Sequence, residues 1–276
     1  MSATVKAKST QTKQQLKRTS SADSELVTHI THWTETLFSF KLTRSDQFRF
    51  RSGEFAMIGL PDDKGKPILR AYSVASPSWA EELEFYSIKV KNGPLTSKLQ
   101  NIVPGDRVIV KPKTVGTLVL DALLPGKTLW LIATGTGIAP FASIIRDPDA
   151  YQRFDKVVLT HTCSENAQLA YSKQLVNTTL TDPLIGDEAM EKLAYYPTTT
   201  QEASPVIGRI TKLIDNGQLF NDLDAAPFSA TDDRIMICGS LQLNLDMGQR
   251  CTEAGLTEGS NSSPGHFVVE KAFTEK

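Results

Sequence analysis

The amino-acid sequence predicts two domains in series: an antiparallel β-barrel, then an α/β domain built on a parallel sheet. Three observations carry that prediction. The chain has 276 residues, long for one compact core and comfortable for two domains of ordinary size. Its front half reads as short strands at regular spacing, broken by Gly, Pro and Asp turns, the pattern of a small barrel. Its back half alternates near-continuous apolar strands with helical stretches, which is how a parallel sheet covered on both faces reads. The expected divisions are residues 1–22, 23–118 and 119–276.

Taken in order, residues 1–22 are rich in Ser, Thr, Lys and Gln and nearly free of large apolar side chains. Such a segment buries too little surface to fold, so it reads as a disordered basic tail. Strands follow at Leu26–Ile30, Thr36–Leu42, Glu54–Leu60, Arg70–Ser76, Leu83–Val90 and Asp106–Lys111, with one helix over Thr96–Asn101. The character changes near Asp121–Lys127. Thr128–Ala133, Lys156–His161 and Arg234–Cys238 are the apolar runs of buried strands, and Phe267–Glu270 is the last strand. A helix after the Gly135–Gly137 turn, and helical stretches over Leu169–Val176, Gly186–Leu193 and Gly208–Leu219, supply the alternation.

Composition narrows the function. Hydrophobic residues make up 40% and charged residues 22% of the chain, a globular balance. A net charge of −1 gives no footing for nucleic acid. No run of 18 apolar residues exists to span a membrane, and no secretory signal opens the chain, so a cytoplasmic protein is expected. Cys163, Cys238 and Cys251 are odd in number and far apart, and read as reduced thiols. Without a CxxC-type pattern, neither an iron–sulfur cluster nor another metal is expected. Charge is unevenly spread. Residues 1–22 hold five basic residues and no acid, residues 23–118 thirteen basic and eleven acidic, and residues 119–276 twelve basic and twenty acidic. A basic front half suits an acidic protein partner, and is equally an accident of surface composition.

Three stretches have the residues for chemistry. Gly135-Thr136-Gly137-Ile138-Ala139-Pro140 joins a buried strand to a helix. Glycines let backbone amides approach a phosphate, and the helix start attracts anions. Alone, this is also the turn of any strand–helix junction. In Arg70-Ala71-Tyr72-Ser73, the guanidinium can pair with a pyrophosphate, and the Tyr ring can stack on a flavin. The same four residues would serve an ordinary strand with one exposed Arg. Gly93-Pro94-Leu95-Thr96-Ser97 opens the barrel-domain helix, whose free amides suit a diphosphate or merely a capped helix start.

Arg70–Ser73, Gly93–Ser97, Gly135–Pro140, Cys238-Gly239-Ser240 and the ending Val269-Glu270-Lys271-Ala272-Phe273 occur in an order that is specific where each motif alone is not. Over residues 25–276 the chain resembles the bacterial ferredoxin/flavodoxin–NADP reductases, in the subgroup with a C-terminal extension. The resemblance implies an FAD-binding barrel at 23–118 and an NAD(P)-binding α/β domain at 119–276. It implies FAD held by Arg70, Ala71, Tyr72 and Ser73, by Lys89 and Val90 on the next strand, and by Pro94, Leu95 and Thr96 at the diphosphate. Thr136 would touch FAD and also border the nicotinamide nucleotide. Ala272 would face the flavin opposite Tyr72, with Phe273 near the adenine. Ser73, Cys238 and Glu270 would shape the hydride-transfer pocket. NADP(H) would meet Thr136, Gly137, Cys163, Ser164, Thr200, Gln201, Arg209, Gly239 and Ser240. The implied partner is ferredoxin or flavodoxin, and the implied state a monomer.

The sequence departs from the family where the 2′-phosphate of NADP binds. Ser164 stands where an arginine is expected after His161, and Gln201 replaces another in Thr200-Gln201-Glu202, which leaves Arg209. Losing two charge-assisted contacts of roughly 1.5–3 kcal/mol each weakens the preference for NADPH and opens the site to NADH. The same two domains would also serve an NAD(P)H diaphorase or an oxygenase reductase component. A non-catalytic nucleotide-binding redox sensor is the reading from a different class.

Overall fold

The computed structural model describes residues 24–270. Its first unit is a six-stranded antiparallel sheet of β1 (Ser24–His32), β2 (Leu37–Thr43), β3 (Phe55–Pro61), β4 (Pro67–Ser73), β5 (Glu82–Ile88) and β6 (Arg107–Val115). The spatial order is β4-β3-β6-β1-β2-β5. Alternation explains the inner face. Phe38, Phe40 and Leu42 of β2 and Leu83 and Phe85 of β5 point inward and are fully buried, and Phe40 stacks on both Phe38 and Phe85. No backbone ladder joins the end strands β4 and β5. The Tyr72 and Ser87 hydroxyls bridge them at 2.9 Å. The short helix α1 (Thr96–Leu99) sends Leu95 and Leu99 into this core.

The second unit is a five-stranded parallel sheet of β7 (Thr128–Thr134), β8 (Lys156–Cys163), β9 (Leu193–Thr199), β10 (Asp233–Cys238) and β11 (Phe267–Val269), in the order β11-β10-β7-β8-β9. Central β7 shows why its sequence is unbroken by polar residues. Leu129 and Leu131 pack into the core on one face, while Trp130 and Ile132 pack into the core on the other. Helices α2 (Ile138–Ile144), α3 (Pro148–Arg153), α4 (Ala170–Leu180), α5 (Gly186–Lys192), α6 (Ile210–Asp215), α7 (Gln218–Asp222) and α8 (Leu241–Glu253) supply the connections. The chain winds outward from β7 through β8 to β9, then returns to the other side of β7 as β10. That reversal opens a crevice beyond the carboxyl ends of β7 and β10, the place where open α/β sheets bind ligands.

One core runs between the units: Leu37, Ala75 and Tyr86 of the barrel join the apolar cluster of the parallel sheet. Tyr86 stacks on Tyr171 at 4.3 Å between ring centroids, and Trp33 meets Tyr171 edge-on. A buried polar pin lies alongside. Arg146 pairs with Glu84 at 3.1 Å and donates to the Ala75 carbonyl, and the Tyr171 hydroxyl donates to Glu84 at 3.2 Å.

Candidate functional site

Two turns build the floor of the site. Gly135–Gly137 follows β7, and Gly239-Ser240 follows Cys238 at the end of β10. They touch closely. A Cβ on Gly137 would lie 2.1 Å from the Cys238 carbonyl oxygen, and one on Gly239 would lie 2.1 Å from Thr134 Oγ1. Only glycine fits at either place without moving the backbone or the threonine. The Ser240 amide donates to Thr134 Oγ1 at 3.1 Å, and the Ser240 side chain caps α8 by accepting from the Leu243 amide.

Above this floor lies a cleft of about 770 Å³, in the range of cofactor sites. Its barrel wall is β4, with Arg70, Ala71, Tyr72 and Ser73, backed by Phe55 and Met57 of β3. Tyr86, Ser87, Ile88 and Thr96 also reach it. Ser73 is buried, and among the described residues its Oγ finds no hydrogen-bond partner. Burial raises the Tyr72 pKa against the Ser87 hydrogen bond, which lowers it, so the ring stays a neutral phenol. Arg70 is exposed and donates to the Leu69 carbonyl at 2.9 Å.

Cys238 ends β10 with no exposed surface. Burial, and then the charge of Glu270, push its thiol well above its ordinary pKa, so the proton stays on Sγ. Glu270 is buried just after β11, with its backbone amide bonded to the Ile237 carbonyl and its carbonyl bonded to Asn244. Sequence position alone separates Ser73, Cys238 and Glu270. The fold puts Ser73 and Cys238 on one cleft and Glu270 beside Cys238.

A second cleft of about 500 Å³ shares Ile88, Thr134, Gly135, Thr136 and Ser240 with the first. It gathers Cys163, Ser164, Thr200 and Arg209, with the Asp246 carboxylate on its wall. Gln201 is elsewhere, on a shallow depression with Glu165 and Glu202. Lys89, Val90, Pro94 and Leu95 lie off the lining of both clefts, and Leu95 is a barrel-core residue. Ala272 and Phe273 fall outside the described residues. Phe55, Met57, Tyr86 and Ile88 also line the larger cleft and belong to none of the sequence motifs. The period of two along β5 was the available signal, since Leu83 and Phe85 face the barrel core and Tyr86 and Ile88 face away.

The comparisons agree with this arrangement. Residues 25–117 match the oxidoreductase FAD-binding domain, and residues 131–247 match the oxidoreductase NAD-binding domain. A flavodoxin/ferredoxin–NADP reductase of Rhodobacter capsulatus is 59% identical over 251 residues, covering 91% of this chain and 93% of that protein. A ferredoxin–NADP reductase of Azotobacter vinelandii is 46% identical, covering 93% of this chain and all of its own length. The crystal structure of a ferredoxin–NADP+ reductase from Neisseria gonorrhoeae, with bound FAD and NADP, superposes with a TM-score of 0.81 at 30% identity, over 91% of this chain and 98% of that one. Identity of this order, sustained over nearly the whole chain and across both domains, makes this chain a member of the ferredoxin–NADP reductase family.

Proposed function

We propose that the chain holds FAD in the larger cleft and moves electrons between NADP(H), bound in the second cleft, and a ferredoxin or flavodoxin. The observation that carries this is the shared turn. Thr134–Thr136 border both clefts, so one nucleotide meets the other across a single loop. The residues fit a flavin: a cleft of cofactor size with mainly apolar walls and the Tyr72 ring on its lining, a buried Ser73 hydroxyl without a partner among the described residues, and a glycine turn on its floor. Bound FAD supplies the conversion between a two-electron hydride and single electrons.

The chain's residues then have distinct tasks. Arg70 supplies the charge that pairs with a phosphate. Tyr72, fixed through its hydroxyl by Ser87, offers a ring that cannot swing away. Ser73 would donate a hydrogen bond from its hydroxyl to a ring nitrogen of the bound flavin. Cys238, kept protonated, and Glu270 close the pocket at the end of β10 and exclude water from the transfer. Thr136, Gly137, Gly239 and Ser240 hold the nicotinamide end, while Cys163, Ser164 and Thr200 line the path toward Arg209. Both clefts form within one chain, so a monomer suffices. Three buried free thiols suit the cytoplasm.

Among the described residues Arg209 is the one guanidinium lining the second cleft, and Asp246 faces the same space. This observation favours a second reading, in which NADH is also used. Stopped-flow reduction of the FAD protein by NADPH and by NADH tests both, followed by electron delivery to a ferredoxin and to a flavodoxin. Reduction by either nucleotide with onward delivery is expected. A protein that cannot be loaded with FAD overturns the proposal, and a preference for NADPH above about a thousandfold overturns the NADH reading.

A further inference from the structure

His161 lies within the apolar β8 with no exposed surface. Its imidazole Nε2 is 2.9 Å from the Gly135 carbonyl oxygen, and its Nδ1 is 2.7 Å from Ser172 Oγ on α4. Ser172 Oγ is in turn 2.6 Å from the Tyr195 hydroxyl on β9. Cys163 Sγ also lies 3.3 Å from Nε2, but a thiol is the weaker partner and can accept, whereas the nearer carbonyl only accepts, so Nε2 carries the ring proton, and Nδ1 of the neutral ring must accept. Ser172 therefore donates to Nδ1 in preference to the Leu169 carbonyl at 3.0 Å, and Tyr195 donates to Ser172. Four elements are tied in one direction: β9 to α4 to β8 to the turn after β7. Burial holds the ring neutral, with its pKa pushed down to about 4.

The chain of bonds ends on a backbone atom that matters. Gly135 has a φ of 52°, in the left-handed region, and it lines both clefts. Its carbonyl shares a peptide plane with the Thr136 amide, so holding one orients the other. A glycine turn of this kind has alternative conformations close in energy, so an external hydrogen bond decides among them.

We propose that His161 is a positioning residue for hydride transfer, holding the Gly135 carbonyl so that the turn shared by both clefts keeps the two nucleotides in register. Ser172 and Tyr195 set the tautomer that makes this possible. The inference rests on the function proposed above.

The test uses the FAD-loaded protein and three variants. His161→Leu removes the donor to Gly135. His161→Gln places an amide Nε2 where the imidazole Nε2 stood. Ser172→Ala removes the donor to Nδ1. The measurements are NADP+ affinity from flavin difference spectra, the single-turnover rate of reduction by NADPH, and ¹⁵N NMR of the histidine ring in the wild type. His161→Leu should lose about tenfold in affinity or rate, the worth of one buried hydrogen bond. His161→Gln should recover to within about threefold of wild type, and the NMR should find the ring proton on Nε2. Equal impairment of the Leu and Gln variants overturns the inference, as does a Leu variant indistinguishable from wild type or a proton found on Nδ1. If His161→Leu does not fold, Ser172→Ala decides: weaker NADP+ binding supports the relay and unchanged binding removes it. A wild-type chain that neither holds FAD nor is reduced by NADPH defeats the proposed function itself. A competent wild type with indifferent variants defeats only the role of His161.

Discussion

At the scale of single residues, Ser73 has an unusual balance. Its hydroxyl is buried without a partner among the described residues, and a group in that state costs about 1–3 kcal/mol. A ring nitrogen of the proposed flavin removes the cost. Ser73→Ala should therefore slow flavin reduction by roughly tenfold in stopped flow, while the melting temperature of the FAD-free protein holds or rises. A fall in that melting temperature would contradict the assignment. Arg209 is the second such residue. If it alone brings positive charge to the 2′-phosphate, Arg209→Ala should raise the KM for NADPH by about 10- to 100-fold and leave that for NADH nearly unchanged. Equal losses with both nucleotides would place Arg209 elsewhere on the ligand. The motif Arg70–Ser73 stood out through its place in an order of five motifs and the family resemblance they carry, because the four residues alone would equally serve an ordinary strand. The relay through His161 did not, because a histidine inside an apolar strand shows nothing of what stands opposite it.

Elements show the same substitution working in opposite directions. Gly137 and Gly248 both lie in or beside helices of the second unit. A methyl group on Gly137 would collide with the Cys238 carbonyl, whereas one on Gly248 meets nothing within 4 Å. Gly137→Ala should cost about 1–3 kcal/mol in denaturant unfolding and weaken FAD retention, because the β7 and β10 turns must separate. Gly248→Ala should add about 0.5–1 kcal/mol, since alanine is the better helix former and the space is open. The strands were mostly legible because their apolar alternation is local. Three elements escaped. β9 carries Pro197, which argues against a strand unless it lies at an edge, and β9 is the edge of its sheet. Helix α8 holds Gly248 and leaves Leu241 and Leu245 exposed, which blurs its apolar stripe. Helix α3 is only six residues long. The helix expected over Gly208–Leu219 is two, with Gly217 at φ 77° starting the second.

At the scale of the molecule, the units are joined by Glu84, Arg146 and Tyr171. Removing one partner of a largely buried pair leaves the other charge uncompensated. Glu84→Ala should lower the unfolding free energy by about 3 kcal/mol, and denaturant unfolding should show the two units separating where the wild type unfolds together. Acid has a predictable effect through His161. Its folded pKa of about 4 lies below the ordinary 6.5, so between those values the unfolded chain binds the extra proton. Stability is thus fully present above pH 6.5 and falls as the pH drops toward 4, by up to about 3 kcal/mol. Glu25 and Asp233, whose pKa values burial raises, act in the opposite sense. The difference between wild type and His161→Gln isolates the histidine: the wild type should lose stability faster over that range, and parallel curves would exclude it.

The sequence by itself determined the two kinds of domain, their order, and the motifs whose resemblance to a reductase family implies a flavin and a nicotinamide nucleotide. The domains rest on local properties: a period of two, an apolar run, a glycine turn ahead of a helix. Only the tertiary structure decided that Gly137 meets Cys238, that Glu84 pins one unit to the other, and that Arg209 stands apart from Gln201. Each of these joins or separates residues whose distance is set by strand order. In a parallel sheet that order is chosen by how helices of the whole domain cover both faces, and no window of neighbouring residues encodes it.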